Sequence, residues 1–207
     1  MTKKNKRKRA RRARINRKLV LIASIVVAVL GIAGLTAWLV FDRLPVATIR
    51  HYPMEYTDLI LKYAAENDLP PAYVASVILA ESSYRPDAVS SADAQGLMQL
   101  LPSTAEWIAG KFDETYVDGC LFDPDTNVRY GCWYLGFLMK RYNGDKRCSS
   151  AAYHAGQGTV DKWLADPECS KDGQTLDVIP YSTTDTYVQR VLKYYEKYEK
   201  LYAKLPG

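Results

Sequence analysis

Glu81-Ser82-Ser83-Tyr84-Arg85-Pro86-Asp87-Ala88-Val89-Ser90 runs directly into Ser91-Ala92-Asp93-Ala94-Gln95-Gly96-Leu97-Met98-Gln99-Leu100-Leu101-Pro102-Ser103-Thr104. Its first residue closes a helix expected over residues 72–82. Pro70 and Pro71 suit a helix's first turn, and Pro86 forces the chain out of the α region just beyond. Within that helix Val74, Val77, Ile78 and Glu81 fall at i, i+3, i+4 and i+7, on one face. The face is otherwise apolar, so Glu81 is a carboxylate ending a stripe aimed at the core. Desolvation disfavours its charged form and raises its pKa, and such a glutamate suits general-acid chemistry near neutral pH. Position alone also fits a helix-end carboxylate that leans into solvent or pairs with Arg85.

The N-terminus carries a separate message. Residues 1–18 hold eleven Lys and Arg and no acid, leaving 17 basic against 23 acidic residues in 19–207. The net charge of +5 therefore conceals an acidic body behind a basic tail. Residues 19–41 carry no charge and, as a helix, span roughly 34 Å, enough for a bilayer's hydrocarbon core. A cleaved signal peptide is the alternative, but its apolar run is typically about 7–15 residues. Trp38 suits an interfacial anchor. The expected organisation is a basic cytoplasmic tail (1–18), a single transmembrane anchor (19–41), a linker (42–52) and a domain (53–207) held outside by the positive-inside rule. The basic run then meets anionic headgroups, and nucleic acid is not an expected partner. Cys120, Cys132, Cys148 and Cys169 all fall on the outer side, where two disulfides are expected, with Cys120–Cys132 and Cys148–Cys169 preferred. The spacing holds no CxxC pair, so zinc is not expected. His51 and His154 have no ligand spacing, and neither metal nor cofactor is expected.

Beyond residue 53 the pattern is all-α. Tyr56, Leu59, Ile60 and Tyr63 form an apolar stripe ending at Asn67-Asp68. Residues 90–101 read as a loop with a short extended piece, and Pro102 opens another helix. Asp125 is the expected N-cap of a helix to about Tyr142, followed by an Asn143-Gly144 turn. Helices are then expected over 145–154, 159–164 and 184–204. No segment of strand period appears, and about 155 residues suffice for a core.

The opening stretch resembles the first signature of the soluble lytic transglycosylases, goose-lysozyme-like enzymes of the bacterial wall. The matching pieces are Glu81-Ser82, Tyr84-x-Pro86-x-Ala88, Ser90, Gly96-Leu97-Met98-Gln99 and Pro102-x-Thr104. Asp123-Pro124 with Asn127, Gly131, Tyr134-Leu135 and Leu138 resembles the second motif. Ala151-Ala152-Tyr153-His154-Ala155-Gly156 resembles the third, and Ile179-Pro180-Tyr181 with Thr184 and Tyr187-Val188 the fourth. The resemblance covers residues 55–195. It departs at Asp93-Ala94, where the family usually has Gly-Ala, at His154, usually Asn, and at Thr183-Thr184, usually Glu-Thr.

The resemblance implies a lysozyme-like helical domain acting on peptidoglycan glycan strands with a single carboxylate. Glu81 would be the catalytic residue, acid and then base, with the substrate's 2-acetamido group and C6 hydroxyl completing the chemistry. Ser90 and Gln99 would hold the N-acetyl and sugar groups, and Met98 would form part of the cleft floor. Tyr153 would hydrogen-bond near Glu81 and orient it, and Tyr187 would close the site from the last helix. Asp87 and Asp93, the nearest candidates for a second carboxylate, read as loop polar groups. A hydrolytic muramidase on the same fold, or a non-catalytic glycan-binding scaffold, stay open as alternatives; His154 and Thr183 keep the latter in play.

Overall fold

The computed structural model describes residues 27–36, 38 and 51–203. The chain divides into two units, Met1–His51 and Tyr52–Gly207. In the first, residues 27–36 and 38 are helical and exposed. No helix among the described residues is long and apolar enough to cross a membrane. The expected basic tail and linker start, and most of the expected anchor over 19–41, lie outside the described residues.

The second unit is helical, as the sequence pattern requires. Its helices are α1 (Thr57–Glu66), α2 (Pro71–Glu81), α3 (Pro102–Ala109), α4 (Pro124–Arg141), α5 (Lys146–Ala155), α6 (Gln157–Leu164) and α7 (Ser182–Leu201), with a 3₁₀ turn at Cys120–Phe122. β-pairing is confined, among the described residues, to two antiparallel bridges, Val89 with Gln95 and Gln95 with Leu100. Proline opens α2, α3 and α4 at the first turn, where its missing N–H costs nothing.

α2 is the centre of the unit, packed between α1 and α7. Its apolar stripe proves wider than one face: Tyr73, Val74, Ala75, Ser76, Val77 and Ile78 are all fully buried. A helix apolar all round belongs in a core, and this one carries its single carboxylate at the edge of that core. α5 touches α4, α6 and α7, while α3 and the 3₁₀ turn pack on α4. A second, smaller apolar cluster around Leu100, Ile108, Leu121 and Tyr130 lies under the segment between α2 and α4.

Two expectations need correction. The N-cap of α4 is Asp123, whose carboxylate accepts from Thr126 N. Asp125 sits inside the first turn and accepts from Tyr63 Oη at 2.9 Å. The expected disulfides are absent, since all four cysteines are free. Cys132 is fully buried in the main cluster, whereas Cys120 borders the second one. Cys148 Sγ points at Gln174 O and Cys169 Sγ at Asp166 Oδ2, so each thiol has its own acceptor.

Candidate active site

Glu81 is the last residue of α2 and is partly buried. The chain leaves it through Ser83 and Tyr84, both left-handed, with φ of 52° and 63°. Non-glycine residues rarely hold that conformation. Here Tyr84 is buried and its hydroxyl lies 3.1 Å from Tyr198 Oη, so the core holds the turn in place.

Tyr187 Oη, from α7, donates to Glu81 Oε1 at 2.6 Å. Burial raises the Glu81 pKa to about 7, while the Tyr187 hydrogen bond and the Arg190 charge pull it down. Burial wins because Glu81 lies at the end of an otherwise apolar helix and the hydrogen bond from Tyr187 comes from a neutral phenol. The residues that shift Glu81 include no second carboxylate. The pairing with Arg85 does not form; Arg85 Nε donates to Ser82 O.

The loop facing Glu81 is held by Asn127, fully buried on α4. Its Oδ1 accepts from Met98 N at 2.8 Å. Its Nδ2 donates to Gln95 O at 2.9 Å and to Leu121 O at 2.8 Å. Two glycines make this close approach possible. Gly96 has φ +76°, and a Cβ there would lie 2.2 Å from Asn127 Nδ2. A Cβ on Gly131 would lie 2.3 Å from Met98 Sδ. Met98 is fully buried, and its carbonyl accepts from Tyr153 Oη at 2.8 Å. Ser82 Oγ adds a bond from the end of α2 to Leu97 O at 2.8 Å.

These contacts bring Glu81, Met98, Tyr153 and Tyr187 into one region. The bond to Glu81 expected of Tyr153 is made by Tyr187. Tyr187 hydrogen-bonds the carboxylate, whereas Tyr153 anchors the Met98 carbonyl. Tyr153 remains close enough that burial first, and then the Glu81 charge, push its phenol well above the ordinary range. Ser90 and Gln99 are partly buried and serve their own loop. Ser90 Oγ accepts from Ala92 N and Ala94 N. Gln99, at φ 49°, donates from Nε2 to Ala88 O and Gly96 O. Asp93 accepts from Gln95 Nε2 and Asp87 is exposed; neither shifts Glu81. Among the described residues no group of three or more His, Cys, Asp or Glu is placed to hold a metal ion.

The second motif contains Asn127 without revealing its role. An Asn inside a helix, where its propensity is poor, was the available signal. Arg190 was missed, because nothing in its spacing ties α7 to the end of α2.

This arrangement has relatives. The family description "Transglycosylase SLT domain" matches residues 58–174. The soluble lytic murein transglycosylase of Escherichia coli K12 is 34% identical over 146 residues, 69% of this chain and 23% of that protein. The membrane-bound lytic murein transglycosylase C of Actinobacillus pleuropneumoniae is 29% identical over 170 residues, covering 70% of this chain and 46% of that one. A crystal structure of an inactive glutamate-to-glutamine mutant of the lytic transglycosylase Slt from Pseudomonas aeruginosa superposes with a TM-score of 0.66 at 34% identity. It covers 75% of this chain and 26% of that one. The chain thus spans about a quarter of the length of the soluble relatives it matches, and the shared part has their lysozyme-like helical fold. With its matched residues running from α1 through α6 and into the loop before α7, the chain belongs to the transglycosylase SLT domain family.

Proposed function

We propose that this protein is a peptidoglycan lytic transglycosylase in which Glu81 works alone. The observation that carries the reading is the Glu81 carboxyl itself, raised to about 7 by burial, hydrogen-bonded by Tyr187 and with no second carboxylate among the residues that shift it. Near neutral pH such a group is divided between its two forms, so it can give a proton and take one back. Hydrolysis in the usual manner calls for two carboxylates. A single one suits a reaction whose nucleophile the substrate supplies.

The protonated Glu81 gives its proton to the oxygen joining N-acetylmuramic acid to N-acetylglucosamine, and the bond from that oxygen to C1 breaks. The 2-acetamido group shares the positive charge developing at C1. The muramoyl C6 hydroxyl attacks C1, and its proton passes to the Glu81 carboxylate, restoring the acid. The product is a 1,6-anhydromuramoyl end and no water is consumed, so proximity within the substrate replaces a second protein group. Tyr187 orients the carboxyl in both states, since a phenol can donate to either form. Ser90 and Gln99 shape the glycan path by holding their loop, above the buried Met98 whose backbone Tyr153 fixes.

Residues 19–41 act as a membrane anchor in this reading, with 1–18 in the cytoplasm and the catalytic domain outside, where the wall polymer lies. The uncharged run behind eleven basic residues supports it, as does the name of the membrane-bound Actinobacillus relative. Fractionation of cells followed by protease treatment of spheroplasts tests the anchor: residues 42–207 should be digested from outside. Release of soluble muropeptides from purified sacculi tests the activity, with Glu81→Gln as the control expected to release none while keeping its helical spectrum.

A further inference from the structure

His154 stands at the last turn of α5, where the reaction as written has no use for it. Its Nδ1 lies 3.1 Å from Oγ1 of the buried Thr184 on α7. Its ring centroid is 4.7 Å from that of Tyr187, with 31° between the planes. Tyr187 in turn carries the bond to Glu81. The imidazole therefore fastens the end of α5 to α7 one side chain away from the acid, and its ring keeps access to solvent. The charges around it are one-sided. On α7, Arg190 lies 5.8 Å from the Tyr187 ring and acts on both His154 and Glu81. Asp185, also on α7, pairs with Arg147 of α5. On α6 and α4, Asp161 and Arg141 pair with each other. On α2, Glu81 is reached through Tyr187. A proton on His154 would thus add a second positive charge on the side of Tyr187 that Arg190 already occupies.

We propose that His154 is a positioning residue with a built-in acid cut-off: neutral, it braces Tyr187 against Glu81; protonated, it is repelled by Arg190 and gives up that brace, which stops the reaction. The proposal rests on Glu81 being the catalytic acid. Like charges repel, so an imidazolium is pushed away from Arg190 and off the Tyr187 ring, and Tyr187 then no longer holds the Glu81 carboxyl in place. Partial burial and Arg190 hold the His154 pKa below its ordinary 6.5, so the active combination, protonated Glu81 with neutral His154, has a window between His154 and about pH 7.

The test is release of soluble anhydromuropeptides from sacculi by the full chain between pH 4.5 and 8.5, for the native protein, His154→Asn and His154→Gln. The native enzyme should give a bell with its alkaline limb near 7 and an acid limb below 6.5, falling about tenfold per pH unit. Both variants should lose the acid limb and keep the alkaline one, with kcat at the optimum reduced several-fold and KM within about twofold of native, since His154 acts through Tyr187 and not on the glycan. An unchanged acid limb in both variants, or a native profile without one, overturns the proposal. So does complete loss of activity in both variants with helical content intact, which would make His154 catalytic. Failure of the native enzyme to form anhydro ends at any pH overturns the reading beneath it instead, and the Glu81→Gln control identifies that case.

Discussion

Replacing Glu81 by Gln should make the protein more stable, by an amount that depends on pH in a defined way. In the unfolded chain the glutamate titrates near its ordinary 4.5, and in the folded protein at about 7. The folded state therefore binds the proton more tightly, so stability falls as pH rises through that interval. Below 4.5 the carboxyl is protonated in both states and costs nothing. Above 7 the full cost of holding a desolvated carboxylate is present, about 3 kcal/mol for a shift of this size. Gln fills the same volume, accepts the Tyr187 hydrogen bond through its amide oxygen, and never ionises. At pH 8 the variant should be more stable by up to that amount, and at pH 4 the difference should vanish. A domain of this size moves by roughly 2–4 °C per kcal/mol, so thermal unfolding followed by circular dichroism should show a gain of up to about 10 °C at pH 8. An equal or lower Tm for Glu81→Gln at pH 8, or a gain that does not change between pH 4 and 8, would refute the claim that burial dominates at Glu81.

Other outcomes follow from the contacts around the site. Tyr187→Phe removes the 2.6 Å bond to Glu81; bonds to charged groups contribute about 1.5–3 kcal/mol, so kcat should fall roughly 10- to 100-fold. Because that bond holds the Glu81 pKa down, the alkaline limb of the rate profile should move above 7. Asn127→Ala leaves Met98 N and Leu121 O without their partner, while Gln95 O keeps Leu100 N, and should cost about 3 kcal/mol in urea unfolding. Gly131→Ala drives a methyl into Met98; overpacking of this kind costs about 1–3 kcal/mol, and sacculus digestion should slow because the Met98 carbonyl and Tyr153 shift together.

The helices were legible because each has a physical boundary written into it. Prolines open α2, α3 and α4, and Asn143-Gly144 separates α4 from α5. Glu81 was legible for the same reason, being a lone carboxylate on an apolar helix that Pro86 forces to end. What could not be read was anything decided across the core. That Tyr187 rather than Tyr153 reaches Glu81 depends on which hydroxyl finds a partner on another element. Asn127 owes its importance to three backbone groups from two loops, none adjacent to it in sequence. The cap of α4 slipped from Asp125 to Asp123 because the Pro124 that starts the helix also fixes which residue precedes it. The cysteines misled because an even count says nothing about which thiols face each other: Cys120 and Cys132 border different apolar clusters, and Cys148 and Cys169, though in one cluster, turn to Gln174 O and Asp166 Oδ2.

The central claim is that one carboxylate, with no partner, carries out the cleavage. Mass spectrometry of the muropeptides released from sacculi tests it most directly, with the native chain beside Glu81→Gln. The account predicts glycan ends lighter by one water than reducing ends from the native enzyme, and no released product from the variant. Reducing ends as the main native product, or undiminished release by Glu81→Gln, would contradict it.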